Sequence, residues 1–190
     1  MSSPDTRLAA ASAEVLLLVA HASVDHGLRT GRPLEVEPRD YDPELRTPRA
    51  TFVTLHLEEK LRGCTGSLEA VNPLVVDVAQ SAHRSAFADP RFPPVEANEL
   101  PRLSFHISLL SPLAPLPATS EAELRASLRP GIDGLVLREG ARSGTFLPSV
   151  WESLPSPLRF LEELKRKAGL PVDYWSPTLR FERYTVEEFG

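Results

Sequence analysis

A chain of 190 residues with 42% apolar and 25% charged content can bury its own core and is too apolar to stay disordered, despite 19 prolines. Its net charge of −5, without a long Lys/Arg run, argues against general binding of a phosphate backbone, so nucleic acid is disfavoured as a partner. A single cysteine, Cys64, rules out an intramolecular disulfide and any CxxC metal site, and it fits a reducing, cytoplasmic setting.

Residues 4–27 read as a helix, with Leu8, Ala11, Val15, Leu18 and Ala22 at helical spacing and Gly27 as its stop. The same Ala/Leu-rich stretch superficially matches a secretory leader. Glu14 interrupts it, only Arg7 precedes it, and it is too short to span a bilayer, so no membrane role is expected. Residues 29–49 read as a long ordered loop with a short strand at Leu34–Val36. Thr51 to Leu57 is a strand by β-branched content, Glu58-Glu59-Lys60 a turn, and Leu61 to Leu68 the returning strand of a hairpin. Asn72-Pro73 caps a helix from Leu74 to Ala88, which Asp89-Pro90 ends.

Leu103 to Leu110 alternates: Leu103, Phe105, Ile107 and Leu109 face one way, Ser104, His106 and Ser108 the other. Pro112 to Pro117 is a rigid connector, and Ser120 with Glu123 forms a capping box for a short helix to Leu128. Gly134–Arg138 and Thr145–Leu147 form a second hairpin around a turn at 139–144. A helix follows from Pro157 to Ala168, capped by Ser156 and stopped by Gly169, and one strand runs from Phe181 to Phe189. Tight hairpins imply antiparallel pairing, so the expected class is α+β, with antiparallel sheets and packed helices in one domain spanning residues 1–190.

The chemistry-bearing segment is Leu61-Arg62-Gly63-Cys64-Thr65-Gly66. Strand alternation places Arg62 and Cys64 on one face, and either simple register sets Cys64 opposite Val53 or Leu55. Two readings stand open. Cys64 is a small buried hydrophobe, or it is a thiol whose pKa the nearby guanidinium lowers. A buried Arg62 needs a carboxylate partner or a wet groove. Gly63 and Gly66 predict a bulge or the close approach of a ligand to the backbone.

Other segments accompany this one in order: Ala50-Thr51-Phe52-Val53-Thr54-Leu55, Ser85-Ala86-Phe87-Ala88-Asp89-Pro90-Arg91-Phe92-Pro93-Pro94, His106-Ile107-Ser108-Leu109-Leu110-Ser111-Pro112, Phe146-Leu147-Pro148-Ser149-Val150 and Lys167-Ala168-Gly169-Leu170-Pro171. Together with Gly134-Leu135-Val136-Leu137 and Trp175, the set resembles the AMMECR domain family, known in prokaryotes as AmmeMemoRadiSam system protein A, over nearly the whole chain. The resemblance implies an α+β fold with a larger and a smaller lobe around a cleft, and the signature segment near that cleft. It also implies a pathway shared with Memo-type and radical SAM proteins, without an agreed reaction or cofactor. The chain departs from the family pattern at Thr65, where isoleucine is usual, and at Ser149, where glutamine is usual.

Candidate site residues are therefore Cys64 and Arg62 for catalysis, and Gly63, Thr65, Gly66, Asp89 and Arg91 for binding. Asp89 and Arg91 also have a plain role in ending the helix. A thiol nucleophile wants a histidine base within hydrogen-bond reach. His21, His26, His56, His83 and His106 are the choices; a bulge at Gly63 would turn His56 toward Cys64, and none has metal-ligand spacing. An enzyme or enzyme-assisting protein using the thiol, and a binding module in which Cys64 only packs, are both expected possibilities.

Overall fold

The structure is a computed structural model that describes residues 7–190; the first residues of the helix expected over 4–27 lie outside the described residues. In chain order the elements are α1 (Ala10–Thr30), α2 (Pro43–Arg46), β1 (Thr51–Leu57), β2 (Lys60–Gly66), α3 (Leu74–Phe87), β3 (Leu103–Leu110), β4 (Ala114–Pro115), α4 (Glu121–Ser127), β5 (Gly134–Glu139), β6 (Arg142–Phe146), α5 (Pro157–Lys167), β7 (Arg180–Tyr184) and β8 (Val186–Phe189). The fold is α+β: β1 pairs antiparallel with β2 and β3, β4 with β7, and β5 with β6 and β7.

The chain forms two compact units, residues up to 110 with 187–190, and residues 111–186. In the first, the sheet runs β2-β1-β3-β8. Alternation decides its faces: Val53 and Leu55 of β1 and Ile107 and Leu109 of β3 are fully buried beneath α1 and α3, which supply Leu16, Val24, Val75, Val78 and Ala82. Thr54, His56 and His106 lie on the opposite face. The α1 helix continues past Gly27 and stops at Gly31, whose φ of +73° is the left-handed value that ends helices. Gly27 is needed for packing instead, because a Cβ there would lie 2.4 Å from the Phe87 ring.

The hairpin turn is tighter than Pro/Gly rules suggest. Glu58 and Glu59 both take positive φ, 50° and 66°, so two glutamates occupy a left-handed pair that favours Asn-Gly. No strand forms at 34–36; proline-led helical turns at Pro38–Asp40 and Pro43–Arg46 fill that loop instead. Neither expected Asn72 nor Ser156 caps its helix through a side chain, whereas Ser120 accepts from the Glu123 N–H as expected.

The second unit holds a sheet of order β4-β7-β5-β6 with α4 and α5. Its core is leucine-rich around an aromatic pair: Trp151 and Phe160 stack with centroids 3.8 Å apart, and the indole N–H donates to the Asp133 carbonyl at 2.7 Å. The expected strand from 181 to 189 is two strands. β7 belongs to this sheet and β8 to the first, with the break at Thr185, whose N–H is held by the Ser111 hydroxyl at 2.9 Å.

Candidate functional site

The hairpin places the signature segment, and a register shift changes its reading. β1 pairs Leu55 with Gly63 but His56 with Leu61, so Arg62 is the extra residue of a bulge. Cys64 consequently pairs with Thr54, not with Val53 or Leu55, and it stands on the sheet face away from α1 and α3. The expected apolar surroundings of the cysteine are therefore overturned. The residue is half-buried, and its sulfur accepts a hydrogen bond from Thr54 Oγ1 at 3.2 Å. The residue opposite Thr54 on β3 is His106, so a polar row Cys64–Thr54–His106 crosses three strands.

Gly63 and Thr65 point the other way, onto α3. A Cβ on Gly63 would fall 2.0 Å from the Ser85 carbonyl, and one on Gly66 would fall 2.1 Å from that of Thr51. The close approach that these glycines allow is thus the protein's own backbone, which is the physical reason for small residues there. Thr65 donates its hydroxyl to the Ser81 carbonyl at 3.1 Å. Buried Ser85 inserts into the ladder: it accepts from the Thr65 N–H at 2.9 Å and donates to the Val53 carbonyl at 2.7 Å. Sequence reasoning missed Ser81 and Ser85, although their four-residue spacing on the buried side of α3 beside Val78 and Ala82 carries the signal.

The backbone of Cys64 is fixed from outside the sheet. Asp89 Oδ2 accepts from the Cys64 N–H at 2.9 Å, and Arg91 Nη2 donates to the Cys64 carbonyl at 3.3 Å. Asp89 and Arg91 are joined by Nε–Oδ1 and Nη2–Oδ2 bonds of 3.0 and 2.7 Å, with side chains 2% and 55% exposed respectively. Hydrogen bonds from the Arg91 guanidinium, and then from the Cys64 and Arg91 N–H groups, hold the Asp89 carboxyl well below the usual carboxylate range against the opposing effect of burial. Arg91 is raised in turn, chiefly by Asp89, and the Cys64 charge contributes to the rise.

Arg62 bonds a carboxylate and two backbone carbonyls. Its Nε and Nη2 grip Glu99 at 2.8 and 3.0 Å, while Nη1 and Nη2 donate to the Pro93 and Pro94 carbonyls at 2.8 and 3.2 Å. The expected carboxylate partner exists, and the guanidinium is committed to bracing the segment after α3. Glu99 is lowered by Arg62 foremost. Nothing local in the sequence marks this residue, because it lies 37 positions from Arg62.

Of the histidines, His56 and His106 meet edge to face with centroids 5.0 Å apart. The unbroken β1–β3 register, which sets His106 opposite Thr54 and Ser104 opposite His56, brings the two rings together on one sheet face, and His56 Nδ1 is buried without a hydrogen-bond partner. Burial first, then His106, lowers the His56 pKa. His21 packs on Phe105 and His83 on Phe87. Among the described residues no group of three His, Cys, Asp or Glu is placed to hold a metal ion, and no helix is long and apolar enough to cross a membrane.

The model of the AMMECR1 family matches residues 17–189. A protein of Methanothermobacter thermautotrophicus is 35% identical over 180 residues, covering 92% of this chain and 91% of its own. One from Thermococcus gammatolerans is 36% identical over 187 residues, covering 93% and 88%. The crystal structure of uncharacterized protein PH0010 from Pyrococcus horikoshii superposes with a TM-score of 0.85 at 34% identity, over 93% of this chain and 89% of that one.

Proposed function

This chain belongs to the AMMECR1 family, and from that premise we propose that Cys64 is the working centre of a thiol-dependent enzyme or enzyme-assisting protein. The observation that carries the reading is the Thr54 hydroxyl directed at the Cys64 sulfur, on a half-buried polar face outside the aliphatic core. A donor to sulfur favours thiolate over thiol, and thiolate is the nucleophilic and redox-active form. Arg91 adds a cation near the same residue, and Asp89 holds both the cation and the Cys64 N–H. Gly63, Thr65 and Gly66 fix the segment against α3 and β1, and Arg62 positions the chain that carries Asp89 and Arg91. Binding by these residues is then binding through a preorganised backbone rather than through their own side chains.

The cellular setting in this reading is the cytoplasm, in a pathway shared with Memo-type and radical SAM proteins. Its support is the family membership and the single cysteine, which suits a reducing compartment. A second reading, a non-catalytic module in which Cys64 only packs, is favoured by one observation: both glycines of the segment are fully accounted for by internal packing.

Alkylation of Cys64 by a neutral haloacetamide across pH separates the two. The thiol-centre reading expects an apparent pKa clearly below the ordinary value of about 8.5, raised by Thr54→Val and restored by Thr54→Ser. A value at or above about 8.5 for the unaltered chain overturns it. A Cys64→Ser chain that keeps partner binding and cellular function favours the packing module.

A further inference from the structure

When opposed residues of an antiparallel pair do not exchange hydrogen bonds, their backbone N–H and C=O groups point away from each other. Cys64 has this relation to Thr54: both of its backbone groups face outward from β2, an outermost strand of its sheet. Such an edge is a template for a further strand. Here the place of that strand is taken by side chains. Asp89 supplies the acceptor for the N–H, Arg91 supplies the donor for the C=O, and the two are locked to each other in bidentate fashion. One residue of a neighbouring strand would offer the same pair of groups.

The segment that carries this surrogate is tied down repeatedly. The Val95 N–H bonds the Ala86 carbonyl at 2.8 Å, Arg62 takes the Pro93 and Pro94 carbonyls, and Glu99 grips Arg62 while accepting from the Glu96 N–H at 2.7 Å. Arg62 and Glu99 are only 11% and 14% exposed, so these ties are shielded from water. Residues 89–99 thus run along the β2 edge as a strap, anchored at Cys64 by its first part and at Arg62 by its second.

We infer that this strap is an edge guard that keeps β2 from pairing with a second copy of the chain. Its release gives a dimer joined antiparallel through Cys64. The occupant follows from symmetry. Across a two-fold axis, the N–H of one Cys64 reaches the C=O of the other, and the reverse, so the two groups now satisfied by Asp89 and Arg91 are satisfied again. Each Cys64 side chain becomes the cross-strand neighbour of its counterpart, with Cα atoms about 5.5 Å apart.

The test is light scattering over a concentration series, paired with a short bis-maleimide that bridges neighbouring thiols. The chains compared are the unaltered protein, Asp89→Ala/Arg91→Ala, and Arg91→Met. Arg91→Met removes every donor from an exposed side chain and keeps the test open should the double variant fail to fold. Variants with an unaltered circular dichroism spectrum are expected to self-associate about tenfold more tightly than the parent. They are also expected to give a covalent dimer mapped to Cys64 on both copies, while Arg91→Lys, which keeps one donor, stays near the parent. Folded variants that associate no more than the parent overturn the inference. So does association without the Cys64–Cys64 link, which would place the interface elsewhere.

Discussion

At the scale of single residues, the site is built from contacts too short to tolerate a methyl group. The Cβ position of Gly63 overlaps the Ser85 carbonyl at 2.0 Å, and a helix backbone cannot yield as a flexible side chain does. Gly63→Ala is expected to destabilise the chain by about 3 kcal/mol, the upper part of the range for overpacked sites, as read from the urea midpoint. Residue identity was only half legible. Alternation alone put Cys64 opposite Val53 or Leu55, because a strand pattern of period 2 carries no mark of an inserted residue. The bulge at Arg62 moves the thiol one step, to Thr54, and with it to the other face. The charged partners Asp89 and Arg91 were readable as a local pair, whereas Glu99 and Thr54 became neighbours of the segment only through folding.

At the scale of elements, the strongly patterned pieces were the legible ones. β3 occupies 103–110 with its apolar residues on the helix side, as its alternation demands, and α3 and α5 lie within a residue or two of their predicted ends. What failed was punctuation. Gly27 sits inside α1 for packing against Phe87, and the strand expected over 181–189 divides at Thr185 where no Gly or Pro gives warning. The β1–β2 turn is the reverse case, a left-handed pair made without the usual residues. Positive φ costs a residue with a side chain about 1 kcal/mol or more. Replacing Glu58-Glu59 by Asn-Gly is therefore expected to raise stability by about 1 kcal/mol, seen as a higher thermal midpoint. The exposed Glu58–Arg102 ion pair that it removes offsets little of this.

At the scale of the whole molecule, buried titratable groups set the response to acid. His56 and His83 have lowered values, each through burial first, so both rings are neutral in the folded chain at pH values where the unfolded chain still binds protons. A lowered folded value means that the stabilisation is present above the unfolded pKa of about 6.5 and is lost as the pH falls past it. Asp89 and Glu99 are lowered as well, by Arg91 and Arg62 respectively, and their contribution holds above the unfolded range near 4 and is lost below it. Urea midpoints are therefore expected to fall in two stages on acidification. The His56→Gln/His83→Gln chain should keep the second stage and lose the first; a single decline beginning near pH 4 in the unaltered chain would contradict the histidine assignment.

The division of the strand near Thr185 has a consequence for biosynthesis. The sheet that carries the thiol takes its fourth strand from residues 186–189, and Glu187 also receives the Leu8 N–H at 3.2 Å. On a ribosome, every residue of the second unit but Val186 emerges before that strand does. A nascent chain can finish its later half while the earlier half still waits for a missing piece, so the part made first is the part completed last.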